Sequence, residues 1–183
     1  MAYTYELLGV ATADTSGPTS LSVGSIPQTH DDLEIVGLCM AQGANNGTEA
    51  SWRINGYSSS SYNRNWYRGV NNYSVQKGSN TTGDSGIQIY QGIGSGNTGD
   101  NYNQAITVLY IAGYTLASGG TPEYGMISGT AKSSQQYTTS VYEIGLYSWS
   151  CRNAAQDPVT SVAVHGVALA ENSIVCVYGI NRS

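Results

Sequence analysis

Phenylalanine is absent from this chain, and only 10% of its residues are charged, against roughly 25% in an average soluble protein. Disordered chains are usually highly charged and poor in apolar residues, whereas 40% of these residues are hydrophobic, so the composition indicates a folded protein. Tyrosine, with 15 copies, must supply much of the aromatic core. A length of 183 residues fits one domain over residues 1–183.

Positive charge is the second shortage. Seven lysines and arginines against twelve acids give a net charge of −5. Because phosphate contacts need clustered basic side chains, we expect no nucleic-acid partner. No apolar run reaches the roughly 18 residues of a membrane span, and the first residues show no signal-peptide pattern. We therefore expect synthesis in a cytoplasm and no membrane partner.

Catalytic and metal-binding patterns are missing too. Cys39, Cys151 and Cys176 are odd in number and lack metal-ligand spacing, so we expect free thiols and no Cys39–Cys176 disulfide. His30 and His165 occur without a Gly-x-Ser-x-Gly elbow, and we expect them to have hydrogen-bonding and structural roles. The sequence therefore predicts a protein that is not an enzyme and uses no cofactor and no metal.

Two short patterns offer other functions. Residues 94–99 match G-x-G-x-x-G, but a strand rather than a helix is expected after them, which favours a flexible turn over a dinucleotide site. Asp31, Asp32 and Glu34 form the densest acidic cluster. We expect a solvated turn there, with a bound cation or a pair of glycosidase acids as alternatives.

The rest of the pattern is typical of β-structure. Segments rich in Thr, Val, Tyr and Ile alternate with polar, Gly-rich turns, one of them expected at residues 77–85, and no segment has a helical apolar period. This spacing predicts an all-β fold, an antiparallel two-sheet sandwich of jelly-roll type. The expected strands are residues 3–13, 20–26, 33–41, 50–55, 66–75, 87–92, 105–112, 124–131, 138–149, 159–169 and 173–179.

The most unusual run interleaves aromatic residues with arginines. Both residue types are enriched at interface hot spots, and aromatic rings also stack on sugars. Since the chain has no phenylalanine, tyrosines of the run could equally fill the core. Core packing, a protein interface and a glycan surface therefore stay open for the candidate residues, which are Tyr57, Tyr62, Arg64, Trp66, Tyr67, Arg68 and Tyr73.

Three patterns follow one another along the chain. S-I-P-x-T-x-x-D-L covers residues 25–33, R-I-N-G covers residues 53–56 with S-x-x-Y-N after it, and Y-G-I covers residues 178–180. This order resembles a family of small virion proteins of tailed bacteriophages, over essentially the whole chain. The resemblance implies a virion structural protein, made in the host cytoplasm, whose partners are other virion proteins.

Two positions in a virion fit such a chain. A capsid decoration (cement) protein reinforces contacts between major capsid subunits on the head exterior, whereas a fibre, collar or tail-tip head would bind host glycans or a receptor. The chain has no repeated shaft of the kind that a fibre carries for reach, so we favour decoration, with the major capsid protein as partner. Low charge, the aromatic run and the threefold sites of capsids together predict a symmetric homotrimer.

Overall fold

The computed structural model describes residues 3–40, 48–58, 62–70, 74–93, 104–115, 126–138, 141–152, 157–166 and 168–182. These residues form twelve strands and no helix. The strands are β1 (Tyr3–Thr12), β2 (Ser20–Val23), β3 (Asp32–Met40), β4 (Thr48–Ile54), β5 (Tyr62–Val70), β6 (Ser74–Asp84), β7 (Ile87–Ile93), β8 (Gln104–Ala112), β9 (Met126–Thr138), β10 (Val141–Arg152), β11 (Val162–His165) and β12 (Ile174–Arg182).

The strands form two antiparallel sheets. One has eight strands in the order β1-β12-β3-β8-β9-β10-β5-β6, and the other has four in the order β2-β11-β4-β7. From β1 to β5 the chain passes to the other sheet at each connection, which is the crossing pattern of a jelly-roll-like sandwich. The predicted all-β, two-sheet fold is confirmed.

Alternating side chains build the core between the sheets. Leu33 and Ile35 of β3 point inward and are fully buried, and Val164 of β11 belongs to the same buried cluster from the four-stranded sheet. The Trp52 ring of the four-stranded sheet packs over Gly37 of the eight-stranded sheet. A Cβ added at Gly37 would lie 2.6 Å from the ring atom Cζ2. Burying an aliphatic side chain of this size contributes about 1.5–3 kcal/mol, so these alternating rows account for most of the driving force.

One predicted turn is wrong. Residues 77–85 were expected to form a loop, but β6 runs over Ser74–Asp84 and pairs with β5. The exposed polar side chains of Gln76, Lys77 and Ser79 suit the last strand of a sheet, which pairs on one side only. Strand β11 is also shorter than the predicted 159–169, because only Val162–His165 pairs with neighbours.

The three cysteines are free thiols. Cys39 and Cys151 are fully buried between the sheets, and Cys176 is half-buried on the opposite face of the eight-stranded sheet. Cys39 and Cys176 therefore point away from each other, as expected for residues without a disulfide. Within the described segments, no helix has the length and hydrophobicity needed to cross a membrane.

Candidate functional site

The aromatic–arginine run lies on and around β5, and the alternation of that strand divides it. Tyr62 and Arg64 point into the sandwich and are buried, Trp66 and Arg68 follow on the same face and are half-buried, and Tyr67 points the other way with 60% of its surface exposed. Tyr57 is half-buried in the turn after β4, and its hydroxyl donates to the Asp157 carboxylate at 3.2 Å. Tyr73 lies outside the described residues.

Tyr62 joins the two sheets. Its hydroxyl accepts a hydrogen bond from the Ile54 N–H at 2.8 Å and donates to the Ile54 carbonyl at 3.3 Å. Burial raises the pKa of this phenol, so it stays neutral and serves as a fixed donor. Of the three roles left open by the sequence, Tyr62 and Arg64 have the core role.

Trp66 and Arg68 form a stacked pair where the eight-stranded sheet extends beyond the smaller one. The Arg68 Cζ atom lies 5.1 Å from the centroid of the Trp66 ring, a cation–π distance, and Arg68 Nε donates to Gln76 Oε1 at 2.7 Å. The ring crosses β6 at Gly78, where an added Cβ would lie 2.4 Å from Trp66 Cζ2. Glycine is therefore required at this position for Trp66 to lie flat.

We call the side of the eight-stranded sheet that faces away from the small sheet the outer face. A shallow groove of about 540 Å³ lies on it at the β5–β6 end. Tyr67 pairs across the strands with Lys77, and Asn65 pairs with Ser79 and Ser148 in the next row. The groove thus combines an exposed aromatic ring with hydroxyl, amide and ammonium groups, the set of groups that sugars and polar peptides can contact.

The outer face also carries every large apolar side chain that is exposed in the described part of the chain. These are Tyr3, Tyr5, Leu7, Val10, Tyr67, Val75, Ile106, Ile144 and Leu146. In contrast, the outward side of the four-stranded sheet carries Ser20, Ser22, Arg53, Ala163 and His165. The two exposed surfaces of the sandwich therefore differ in character.

Two neighbouring rows of the outer face are mostly apolar across the sheet, and we call them the outer stripe. The first row contains Ile174, Leu38, Ile106, Ile144 and Val75, together with Thr12, Ser134 and Gly69. The second contains Val10, Cys176, Val36, Val108, Leu146 and Tyr67, with Lys132 and Lys77 as its charged members.

The sequence predicted a solvated turn for the acidic cluster, and this prediction is wrong for Asp32. Asp32 is fully buried, and it accepts hydrogen bonds from Arg182 Nε at 2.8 Å, from the Tyr110 hydroxyl at 2.6 Å and from the Gly113 N–H at 3.0 Å. Burial acts to raise the pKa of Asp32, but the hydrogen bonds from Arg182, Tyr110 and Gly113 outweigh it, and the pKa lies below the ordinary value. Asp32 therefore forms a structural ion pair with Arg182, whereas Asp31 is exposed.

The residues next to Asp32 also bond to β12 and β1. The Asp31 carboxylate accepts the Arg182 backbone N–H at 2.7 Å, and the Asp31 N–H donates to the Ile180 carbonyl at 2.9 Å. The buried His30 ring lies against Gly179, and its Nε2 is 3.0 Å from Glu6 Oε2 on β1. The expected hydrogen-bonding role of His30 is confirmed.

A residue of the R-I-N-G pattern also forms long-range hydrogen bonds. Asn55 adopts a left-handed backbone conformation with φ of 51°, and its Oδ1 accepts the N–H groups of Thr160 and Ser161 at 2.8 and 3.0 Å. Its Nδ2 donates to the Pro158 carbonyl at 2.8 Å. Residues of all three sequence patterns therefore hold distant segments together. Sequence reasoning could not find these bonds because their partners lie far away in sequence, more than a hundred residues in the case of Asn55.

No group of three or more His, Cys, Asp or Glu side chains among the residues with described positions could hold a metal ion. Residues 94–99, with their G-x-G-x-x-G pattern, lie outside the described residues. The candidate functional site is therefore a surface, which consists of the outer stripe and of the polar groove at its β5–β6 end.

No protein-family model matches the chain, and no curated protein matches it. Among solved structures, it is similar to a GH43 glycoside hydrolase whose engineered active site displays both endo-xylanase and exo-arabinofuranosidase activity. The identity is 12% and the TM-score is 0.41, and the match covers 98% of this chain and 36% of that protein. A likeness at this level carries no functional argument. The chain spans about a third of the length of the hydrolase.

Proposed function

We propose that this chain is a structural protein of a tailed-phage virion, bound on the capsid as a decoration (cement) protein. The observation that carries the proposal is the apolar outer face of the eight-stranded sheet. A sheet with one face in the core normally exposes a polar second face, as the four-stranded sheet does here. A broad exposed apolar surface marks a site of protein contact.

The sequence patterns support a virion in particular. The S-I-P-x-T-x-x-D-L, R-I-N-G and Y-G-I patterns resemble those of small phage virion proteins, and their residues form the long-range bonds around Asp32 and Asn55. A rigid sandwich with few charges suits a subunit whose surface is packed against other proteins in an assembled particle. The major capsid protein is the proposed partner, and contact through the outer face is the proposed mode.

One observation favours the alternative of a fibre, collar or tail-tip head. The groove beside Tyr67 presents an aromatic ring next to Lys77, Asn65, Ser79 and Ser148. A sugar could stack on the exposed ring while its hydroxyl groups bond to the amide and the serines. This arrangement is local, whereas the apolar rows cross the whole sheet, so decoration remains the first proposal.

Copy number in purified particles tests the two positions. A decoration protein occurs in numbers comparable with the major capsid protein, and a tail-tip head at a small fraction of it. Quantitative mass spectrometry of particles measures this ratio directly. A ratio near that of known tail proteins would favour the alternative, and absence of the chain from purified particles would refute both.

A binding experiment then tests the surface. Particles assembled without this chain should take up the purified wild-type protein, and a Leu146→Glu variant should bind far less. The control is Ser22→Glu, which places the same charge on the polar side of the sandwich. Equal uptake of all three proteins would show that the outer face is not the capsid contact.

A further inference from the structure

The outer stripe is large enough to form an interface. Eight strands with a spacing of about 4.8 Å give a width of roughly 34 Å, and two rows about 7 Å apart give a height of roughly 14 Å. The flat area is roughly 480 Å² per copy before side-chain relief is counted, so two copies would bury about 1,000 Å², the size at which specific interfaces begin. On β1, Tyr5 and Leu7 extend the apolar area below the stripe.

We propose that the outer stripe is buried against the outer stripe of a second copy of this chain, related by a twofold axis. The inference deepens the proposed function, since it names what covers the same face in the free protein until the capsid takes its place, and it rests on the apolar face that carries that function. The axis lies in the interface, parallel to the strands and between β8 and β9. It places β10 of one copy over β3 of the other, and β5 over β12.

This operation makes the stripe complementary to itself. Leu146 meets Val36 of the second copy, and Tyr67 meets Cys176. The two charged members also avoid each other, because Lys132 lies over Val108 and Lys77 over Val10, so that each lysine stem covers an aliphatic side chain. Twisted sheets stacked in this way cross at roughly 30° and keep their apolar faces in contact.

Charge complementarity supports the same arrangement. Glu34 lies one row from Val36 on β3, and the twofold axis brings it to within one strand and one row of Lys132 in the facing copy. That offset is roughly 8 Å on the sheet lattice, which a lysine and a glutamate side chain can bridge together. Opposite charges therefore meet at the border of the stripe.

A threefold arrangement, as the sequence predicted, covers this face less well. Three faces, each roughly 34 Å wide and turned toward a common axis, would each lie about 10 Å from that axis. This distance from face to axis already equals the full separation of two packed sheets. The middle of each stripe would then face a gap. A width of eight strands fits a pair of faces better than a ring of three.

The mass of the purified full-length chain in solution tests the proposal. Light scattering over a concentration series should give a dimer for the wild type. Leu146→Glu places two carboxylates in the apolar contact and should raise the dissociation constant at least ~100-fold. Ser22→Glu, on the other sheet, should leave it unchanged. Circular dichroism confirms that each variant is folded, and Tyr67→Glu replaces Leu146→Glu if the latter is not.

A charge swap tests the twofold pairing itself. Adding Val36→Lys to Leu146→Glu should restore the dimer, because each lysine would face a glutamate of the other copy. Within one chain these positions lie three strands apart, roughly 14 Å, so the rescue has to act between copies. Failure of the rescue would overturn the twofold pairing. A monomer at all concentrations, or a mass that Leu146→Glu leaves unchanged, would overturn the interface.

The outcomes for the interface and for the virion role are separable. A dimer that is absent from purified particles refutes the virion role and leaves the interface standing. A monomer that binds particles through the outer face refutes the second copy as occupant and leaves the virion role standing.

Discussion

The Asp32 carboxylate and the Arg182 guanidinium join points 150 residues apart in sequence. Arg182 Nε donates to Oδ2 at 2.8 Å, and Nη2 donates to Oδ1, a bidentate arrangement of the kind that arginine favours. The pair holds β12 beside β3, with β1 on the other side of β12. Strand β12 is therefore an inner strand of the large sheet, and this contact adds a side-chain link to the backbone ladders that join it to β3 and β1.

Removing the buried charge should weaken the whole fold. We expect Asp32→Asn to lower the melting temperature by roughly 5–10 °C, because the amide cannot accept all the hydrogen bonds that the carboxylate accepts, and buried donors are then left without acceptors. Glu171→Gln, which removes an exposed carboxylate outside both sheets and away from the outer stripe, is the control. Calorimetry of the two variants decides the point. Equal melting temperatures would contradict a structural role for Asp32.

The same carboxylate makes stability depend on pH in a defined window. Its pKa lies below the ordinary value of 3.8 in the folded protein, so its contribution is fully present above that value and is lost as the pH falls through the folded pKa. Urea unfolding should therefore show a constant difference between wild type and Asp32→Asn at neutral pH. That difference should shrink below about pH 4. A difference that persists unchanged in stronger acid would rule out Asp32 as its source.

Gly179 is expected to tolerate no side chain. A Cβ there would lie 2.4 Å from Cγ of the His30 ring, so Gly179→Ala should cost about 1–3 kcal/mol through overpacking. Gly24→Ala, where no atom lies within 4 Å of the new Cβ, is the control. Chemical denaturation gives the free energies of unfolding. The double variant with His30→Ala should recover part of the loss, and no recovery would mean that the clash with His30 is not its cause.

Trp66 and its neighbour Tyr67 should behave differently when they are truncated. Trp66→Ala should lower the melting temperature, since the ring packs against the core and fills the space over Gly78. Tyr67→Ala should leave it unchanged and weaken assembly instead, because its exposed ring belongs to the outer stripe. Thermal unfolding and light scattering separate the two effects. A large loss of stability in Tyr67→Ala would place this ring in the core.

The cysteines should react according to their positions. Burial raises the pKa of Cys39 to about 12 and that of Cys151 to about 11, and both thiols are inaccessible between the sheets. The folded Leu146→Glu variant should therefore be alkylated at Cys176 alone, and the wild type more slowly there, because the second copy covers the stripe. Mass spectrometry after iodoacetamide treatment gives the sites. Modification of Cys39 without unfolding would contradict the described core.

The overall fold class was accessible from local pattern. Alternation of apolar residues, the crowding of β-branched side chains and regular polar turns depend on neighbours in sequence, and they led to the two-sheet sandwich. Strand β6 was missed because its polar residues mark an edge position, and edges exist only once the strand order is known. Strand β12 has apolar residues in both alternating sets, and only the structure shows that Val175 and Val177, rather than Ile174 and Cys176, face the core.

The sequence by itself determined the β-rich class of the protein, because composition and short-range order carry that information. Its single domain and the resemblance to phage virion proteins stay predictions. Only the tertiary structure decided that Asp32 is buried and paired with Arg182, that Tyr62 and Arg64 belong to the core, and that the exposed apolar side chains share one face. The physical reason is the same in each case. Burial, charge pairing and surface character arise between strands, and strand order and register bring together residues that the sequence keeps far apart.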